Sequence, residues 1–416
     1  MRIHGTLLLL WAASGLPATV GAAEPAEAQH ALLQAVAEAP LLKAAAHRAD
    51  AAQARVASSG RLPDPEVEGM ASRMNGPMGE RATMYELNVR QPLPRRGERA
   101  ADRERAVAGV SMAQADYALM AGELAADTAM ALAEGEAATE RIRLLTTQVG
   151  RLQAVLRAME IRLGAGSDVR LADRLTVETR LASMTVMIEQ ERTMAEDALA
   201  AARGRLGLPP GAPLPPFAVP SVDDVAEVDA AAIRLASARA DEATAMAKMA
   251  RAGARPMTAV GLRLERERTA MGDEDIVGVA FMSEIPWRSR QYAAAEARAA
   301  EADRSAAEAE GQSAQFRIRS TLTRVERAQR LAETAHRLGS ETLARLETEY
   351  DTLVRTAGVG GTGDSTVLQL VELLEQATDT RLQLIQADLT VRIARAELWR
   401  YVPADRFFHP SIPVSP

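Results

Sequence analysis

The chain has 416 residues, 47% of them hydrophobic but only 3% aromatic, with a net charge of −7 and no cysteine. The charges are scattered without a basic patch, so nucleic acid is not an expected partner, and the lack of cysteine excludes disulfides and a lipid-modified cysteine. Alanine, arginine, glutamate and leucine dominate, a composition suited to long helices rather than to a compact α/β enzyme.

Residues 1–23 predict a signal peptide. Arg2 supplies a positive start, Gly5 to Leu16 an apolar stretch, and Val20-Gly21-Ala22 or Gly21-Ala22-Ala23 a small-residue cleavage site. The apolar stretch is short for a span of about 20 residues, so export is expected over a retained anchor. No later window offers a transmembrane helix, and an exported chain of this kind can still enter an outer membrane by closing strands into a barrel.

Residues 24–207 form the first of two expected repeats. A helix over 28–59 places Leu32, Leu33, Val36, Leu41 and Leu42 at helical spacing and stops at Ser58-Ser59-Gly60. Pro63 and Pro65 then open an extended run. Strands are expected at about 66–74 and 84–92, with Asn75-Gly76-Pro77 and Gly79 turning between them. The second alternates cleanly, Tyr85, Leu87 and Val89 against Glu86, Asn88 and Arg90. After Pro94 and Gly97 a helical pattern runs without proline to about Leu163, which at 1.5 Å per residue reaches on the order of 100 Å. A turn at about 163–168 leads to a second helix ending at Gly207.

Six prolines between 208 and 222 predict an irregular linker. Residues 223–402 then repeat the order: a helix to Gly253, strands at about 257–268 and 276–285, and Pro286 stopping the sheet as Pro94 does. A long helix over about 288–356, a glycine-rich turn at about 357–365 and a last helix to Tyr401 complete it. Here Val260, Leu262 and Leu264 alternate with Gly261, Arg263 and Glu265, and Val277, Val279 and Phe281 share one face of the return strand. Residues 403–416 are an expected C-terminal tail. The fold class read from this pattern is mainly α with a small β part, in two internal repeats of long helical hairpin plus β-hairpin.

Two helical hairpins too long for one globule, each joined to an amphipathic strand pair, resemble the TolC-like outer-membrane efflux protein family over nearly all of the mature chain. The residues that carry the resemblance are Leu62-Pro63-Asp64-Pro65, Gln91-Pro92-Leu93-Pro94 with Gly97, and Ile285-Pro286-Trp287 with Arg290. The breaks at Gly166-Ser167-Asp168 and Gly363-Asp364-Ser365, each before a leucine-rich helix, match the family's turns at the periplasmic tip. The resemblance implies a homotrimer sharing a 12-stranded outer-membrane β-barrel on a long periplasmic α-barrel. Its implied partners are a periplasmic adaptor, an inner-membrane efflux transporter and outer-membrane lipid. Four strands cannot close a barrel by themselves, which argues independently for oligomerisation.

On that reading Tyr85, Leu87, Val89, Val260, Leu262, Leu264, Val277, Val279 and Phe281 face lipid, whereas Glu86, Asn88, Arg90, Arg263 and Glu265 face the lumen. Aromatic girdles are sparse, Tyr85 and Phe281 standing nearly alone. Gly166, Ser167, Asp168, Asp173, Gly363, Asp364 and Ser365 are the candidate gate and adaptor contacts. Some relatives carry ring-forming aspartates after the second turn, where this chain has Leu368 and Val371; Asp173 falls on an equivalent position in the first copy. A carboxylate ring there competes with plain helix capping.

The Gln91 to Gly97 segment looks most like the heavy-metal (cobalt-zinc-cadmium or copper-silver) efflux branch. Met70, Met74, Met78 and Met84 cluster in the first hairpin, either as thioether ligands or as space-fillers. His30, His47, His336 and His409 form no ligand-spaced cluster, so no bound metal, cofactor or catalytic residue is expected. No phosphate loop, nucleophile elbow or HExxH pattern suggests an enzyme. The alternative function is a periplasmic adaptor or coiled-coil scaffold, for which one hairpin flanked by compact β domains would be expected.

Overall fold

The structure, a computed structural model, describes residues 25–75, 81–164, 171–225, 227–269, 272–284, 286–358 and 365–407. The chain runs α1 (Pro25–Glu38), α2 (Pro40–Ser58), β1 (Glu66–Asn75), β2 (Arg81–Leu93), α3 (Glu98–Gly164) and α4 (Leu171–Leu206). It continues as α5 (Ala231–Gly253), β3 (Met257–Thr269), β4 (Gly272–Glu284), α6 (Ser289–Gly358) and α7 (Ser365–Ala396), with short 3-10 turns around the linker and the end.

Three boundaries differ from the sequence pattern. The helix expected over 28–59 is two helices, because Ala39 takes an extended backbone and Pro40, which lacks the amide a helix interior needs, starts α2. The helix expected from 223 begins at Ala231, preceded by a 3-10 turn at Val222–Asp224 capped by Ser221. The turn expected at 272–275 is strand: Arg266 and Arg268 on β3 pair with Asp275 and Asp273 on β4, so charge complementarity carries the ladder past the apolar residues.

The long helices have identifiable ends. Gly97, at φ 88°, turns the chain into α3, and the Glu98 carboxylate accepts the Arg95 amide at 2.8 Å. Gly207, at φ 69°, closes α4 while the Leu208 and Gly207 amides donate to the Arg203 and Gly204 carbonyls at 2.9 and 3.1 Å. Helices α3 and α6 have 67 and 70 residues, or about 100 Å each. Along α6 the buried positions Ala293, Ala297, Ala300, Ala307, Ala314, Ile318, Thr321, Val325, Ala328 and Ala332 follow a spacing of three and four, the period that keeps one seam against a partner helix. Helix α5 covers that seam near the sheet and α7 covers it farther away.

The main core lies midway along α3. Leu32, Val36 and Leu42 of α1 and α2 pack there with Tyr117, Leu206 and Trp399. Trp399 is fully enclosed, its indole N–H donates to the Ala218 carbonyl at 3.0 Å, and Phe407 tilts against it at 6.4 Å. Gly122 permits this approach, since a Cβ there would stand 2.8 Å from the Trp399 carbonyl oxygen. The proline-rich linker and the turns after α7 therefore clasp the middle of α3. Arg406–Asp224 at 2.5 Å and Arg234–Asp405 at 2.8 Å fasten the last described residues to the segment around α5.

Candidate functional site

All four strands form one antiparallel sheet in the order β1-β2-β3-β4. Strands β2 and β3 are neighbours in register, Leu87 opposite Leu264 and Val89 opposite Leu262, although α3, α4 and α5 lie between them in sequence. Because paired residues of an antiparallel ladder project to the same side, the register sorts every strand residue onto one of two faces. One face carries Tyr85, Leu87, Val89, Val260, Leu262, Leu264, Val277, Val279 and Phe281 together. The other carries Glu86, Asn88, Arg90, Arg263 and Glu265. The structure thus brings the two predicted sets together and keeps them apart.

Around Glu86 and Glu265 the two faces are exposed in the reverse of the order a water-soluble sheet adopts. Val279, Val277 and Phe281 are 82%, 73% and 70% exposed, whereas the Glu86 and Glu265 side chains are 11% and 14% exposed. Along β2 the residues at 85, 87 and 89 are open and those at 84, 86, 88 and 90 are half-buried. The sheltered face is held by ion pairs. Arg263 spans Glu86 at 3.0 Å and Glu265 at 2.9 Å, Asn88 donates to Glu86 at 2.7 Å, and Arg90 reaches Glu66 at 3.2 Å and Glu68 at 3.6 Å.

Sequence reasoning missed part of this face. The register adds Glu66, Glu68, Glu267, Glu274 and Glu284, which makes seven carboxylates with Glu86 and Glu265, against the two guanidinium groups of Arg90 and Arg263. The signal in β1 is faint because its open face offers only Val67 among small or polar residues; in β4 it hid in the acidic run taken for a turn. Trp287, 86% exposed, and Tyr292 stand open where β4 gives way to α6.

At the opposite end the hairpins converge. Leu152 and Met159 of α3, Val177 and Met184 of α4, and Val371 of α7 form one cluster, and Arg180 of α4 pairs with Glu375 of α7 at 2.9 Å. Farther up, Arg141 on α3 and Glu191 on α4 make a largely buried pair at 2.8 Å. Asp173, in the first turn of α4, is buried and 7% exposed. Gly166, Ser167, Asp168, Gly363 and Asp364 lie outside the described residues, and Ser365 is the first residue of α7. Ile161, Leu171 and Leu175 are exposed beside the first turn.

Among the described residues no helix is long and apolar enough to cross a membrane, and no three His, Cys, Asp or Glu side chains are arranged to hold a metal ion.

Residues 31–205 match the family described as outer membrane efflux protein. The fold matches solved outer-membrane channels along nearly its whole length. The channel OprN is 19% identical, with 91% of this chain and 90% of that one covered and a TM-score of 0.69. The outer membrane protein VceC of Vibrio cholerae is 16% identical, with 89% and 96% covered and a TM-score of 0.69. The open state of the MtrE channel of Neisseria gonorrhoeae is 16% identical, with 90% and 88% covered and a TM-score of 0.67. The sequence matches no curated protein. Residues 31–205 are thus similar to the outer membrane efflux protein family, and the chain has the fold of these channels along nearly its whole length.

Proposed function

We propose that the chain is the exit duct of a tripartite efflux system, passively conducting solutes handed over by an inner-membrane pump and a periplasmic adaptor. The observation that carries this reading is the inversion at the middle of the sheet, with Val277, Val279 and Phe281 open and Glu86 and Glu265 sheltered. In water that arrangement is unfavourable; with lipid outside and water inside it is the stable one. Strands β1 and β4 are the two edges of the sheet, and unpaired edge groups in lipid are costly enough to require closure. Three copies joined edge to edge would give a barrel of 12 strands, with the helices continuing as an α-barrel below. Trp287 and Tyr292 sit where an interfacial aromatic belt would anchor the sheet.

The two turns at the far end are the proposed gate and adaptor contact: Gly166, Ser167 and Asp168 with Asp173 in the first hairpin, Gly363, Asp364 and Ser365 in the second. Exposed Ile161, Leu171 and Leu175 give the first turn an apolar surface for a partner. Asp173 would contribute to a gate only in a state that uncovers it. The cargo proposed from the family branch is heavy-metal ions. The duct reading is tested by membrane fractionation, detergent extraction and conductance in planar bilayers. A detergent-dependent trimer that forms pores is the expected result, and a soluble periplasmic monomer overturns it.

A further inference from the structure

All five methionines in the four strands, Met70, Met74, Met84, Met257 and Met282, lie on the sheltered polar face, and none is on the open apolar one. The register divides them into two groups. Met84 stands opposite Ser72, which places it diagonally between Met70, opposite Glu86, and Met74, opposite Ala82. Met257 stands opposite Glu284 and Met282 opposite Ala259, so this second pair is diagonal too. Diagonal cross-strand neighbours are about 7–8 Å apart along the backbone, within reach of long unbranched side chains. One thioether group therefore lies at the end of the sheet next to the helices and the other in its far half, where Met70 stands on the same rung as Glu86 and Glu265.

Space-filling does not explain these positions. Methionine fills irregular gaps in cores, as Met159 and Met184 do in the helical tip. Met70, Met74 and Met282 instead remain about half exposed on a face that carries seven carboxylates and two guanidinium groups, with Ile276 its one large aliphatic side chain. The opposite face draws its apolar side chains from valine, leucine, phenylalanine and tyrosine, with the Arg266–Asp275 and Arg268–Asp273 pairs at the end toward the hairpin turns. Thioethers are soft ligands and select Cu(I) and Ag(I) over divalent ions that prefer oxygen and nitrogen. The surplus of carboxylates on the same face attracts cations of any kind, so the sulfur atoms supply the discrimination.

We propose that the sheltered face carries two thioether stations for soft monovalent cations of the Cu(I) and Ag(I) class, Met257 with Met282 at the inner mouth and Met84 with Met70 and Met74 at the outer one. This rests on the duct reading, since the face must line the water-filled passage, and it narrows the proposed heavy-metal cargo to its soft monovalent ions.

Ag(I), which needs no reductant, is the probe. The purified full chain in detergent is titrated calorimetrically with Ag(I) and with Zn(II), beside two leucine variants that keep side-chain volume: M257L/M282L and M70L/M74L/M84L. The expected result is Ag(I) uptake that each variant loses in part and the combined variant loses entirely, with no equivalent uptake of Zn(II) and unchanged pore conductance. Equal Ag(I) uptake by wild type and the combined variant, or Zn(II) binding as tight as Ag(I), overturns the stations while conducting pores leave the duct standing. A chain that forms no pore overturns both.

Discussion

The sheet and the core around Trp399 are built by opposite rules within one chain. Around Trp399, apolar side chains are enclosed and the one indole donor is satisfied by a carbonyl, as water outside demands. In the sheet, Val277, Val279 and Phe281 are open, whereas Glu86 and Glu265 are sheltered and paired with Arg263. On the proposed duct reading the two regions are folded against different solvents, water around Trp399 and lipid against the open face of the sheet.

The contrast can be broken from either side. The largest effect is expected in the core: Trp399→Ala removes a fully buried aromatic side chain and should destabilise the chain by about 3–5 kcal/mol, read by chemical denaturation followed by helical circular dichroism. Next comes Val279→Arg on the open face. In contact with lipid it should cost about 2–4 kcal/mol and lower the yield recovered in the outer membrane. A face in water would tolerate it within about 0.5 kcal/mol, so an undiminished yield would refute the lipid assignment.

The smallest effect separates the helical body by its pH response. Burial raises the carboxyl of Glu136 above its ordinary range, opposed by Arg392 at 3.2 Å and reinforced by the Glu140 charge. A carboxyl whose folded value is raised contributes stability that is full below the ordinary range and is lost as pH rises through the elevated value. Glu136→Gln should therefore flatten the fall in Tm across the window just above the ordinary carboxylate range. Parallel Tm curves for wild type and variant would contradict that assignment.

Much of the fold was legible because its periods are long and regular. The alternation of Tyr85, Leu87 and Val89, and of Val260, Leu262 and Leu264, puts these apolar residues on one face from sequence alone, and Pro94 and Pro286 mark where sheet becomes helix. The pattern failed where a local signal was ambiguous. Ala39-Pro40 fits inside a helical run of apolar residues, yet proline is also a good first helical residue, and only the backbone shows that a new helix starts. Asp273 and Asp275 look like turn residues until their arginine partners on the neighbouring strand are known. Strand adjacency between β2 and β3 leaves no trace in local pattern, because the pairing is distant in sequence. That pairing is what collects the carboxylates and the methionines onto one wall.

The adjacency of β2 and β3 also sets a timetable. Strands β1 and β2 are made early, but β2 can pair with β3 only after α3, α4, the linker and α5 have followed. Until then the first hairpin is a two-stranded ribbon, marginal at best in water, with the edge of β2 unpaired. Contacts of such long sequence separation form slowly, so the helices have time to organise first. The open apolar face is therefore completed last, once β3 and β4 have been made.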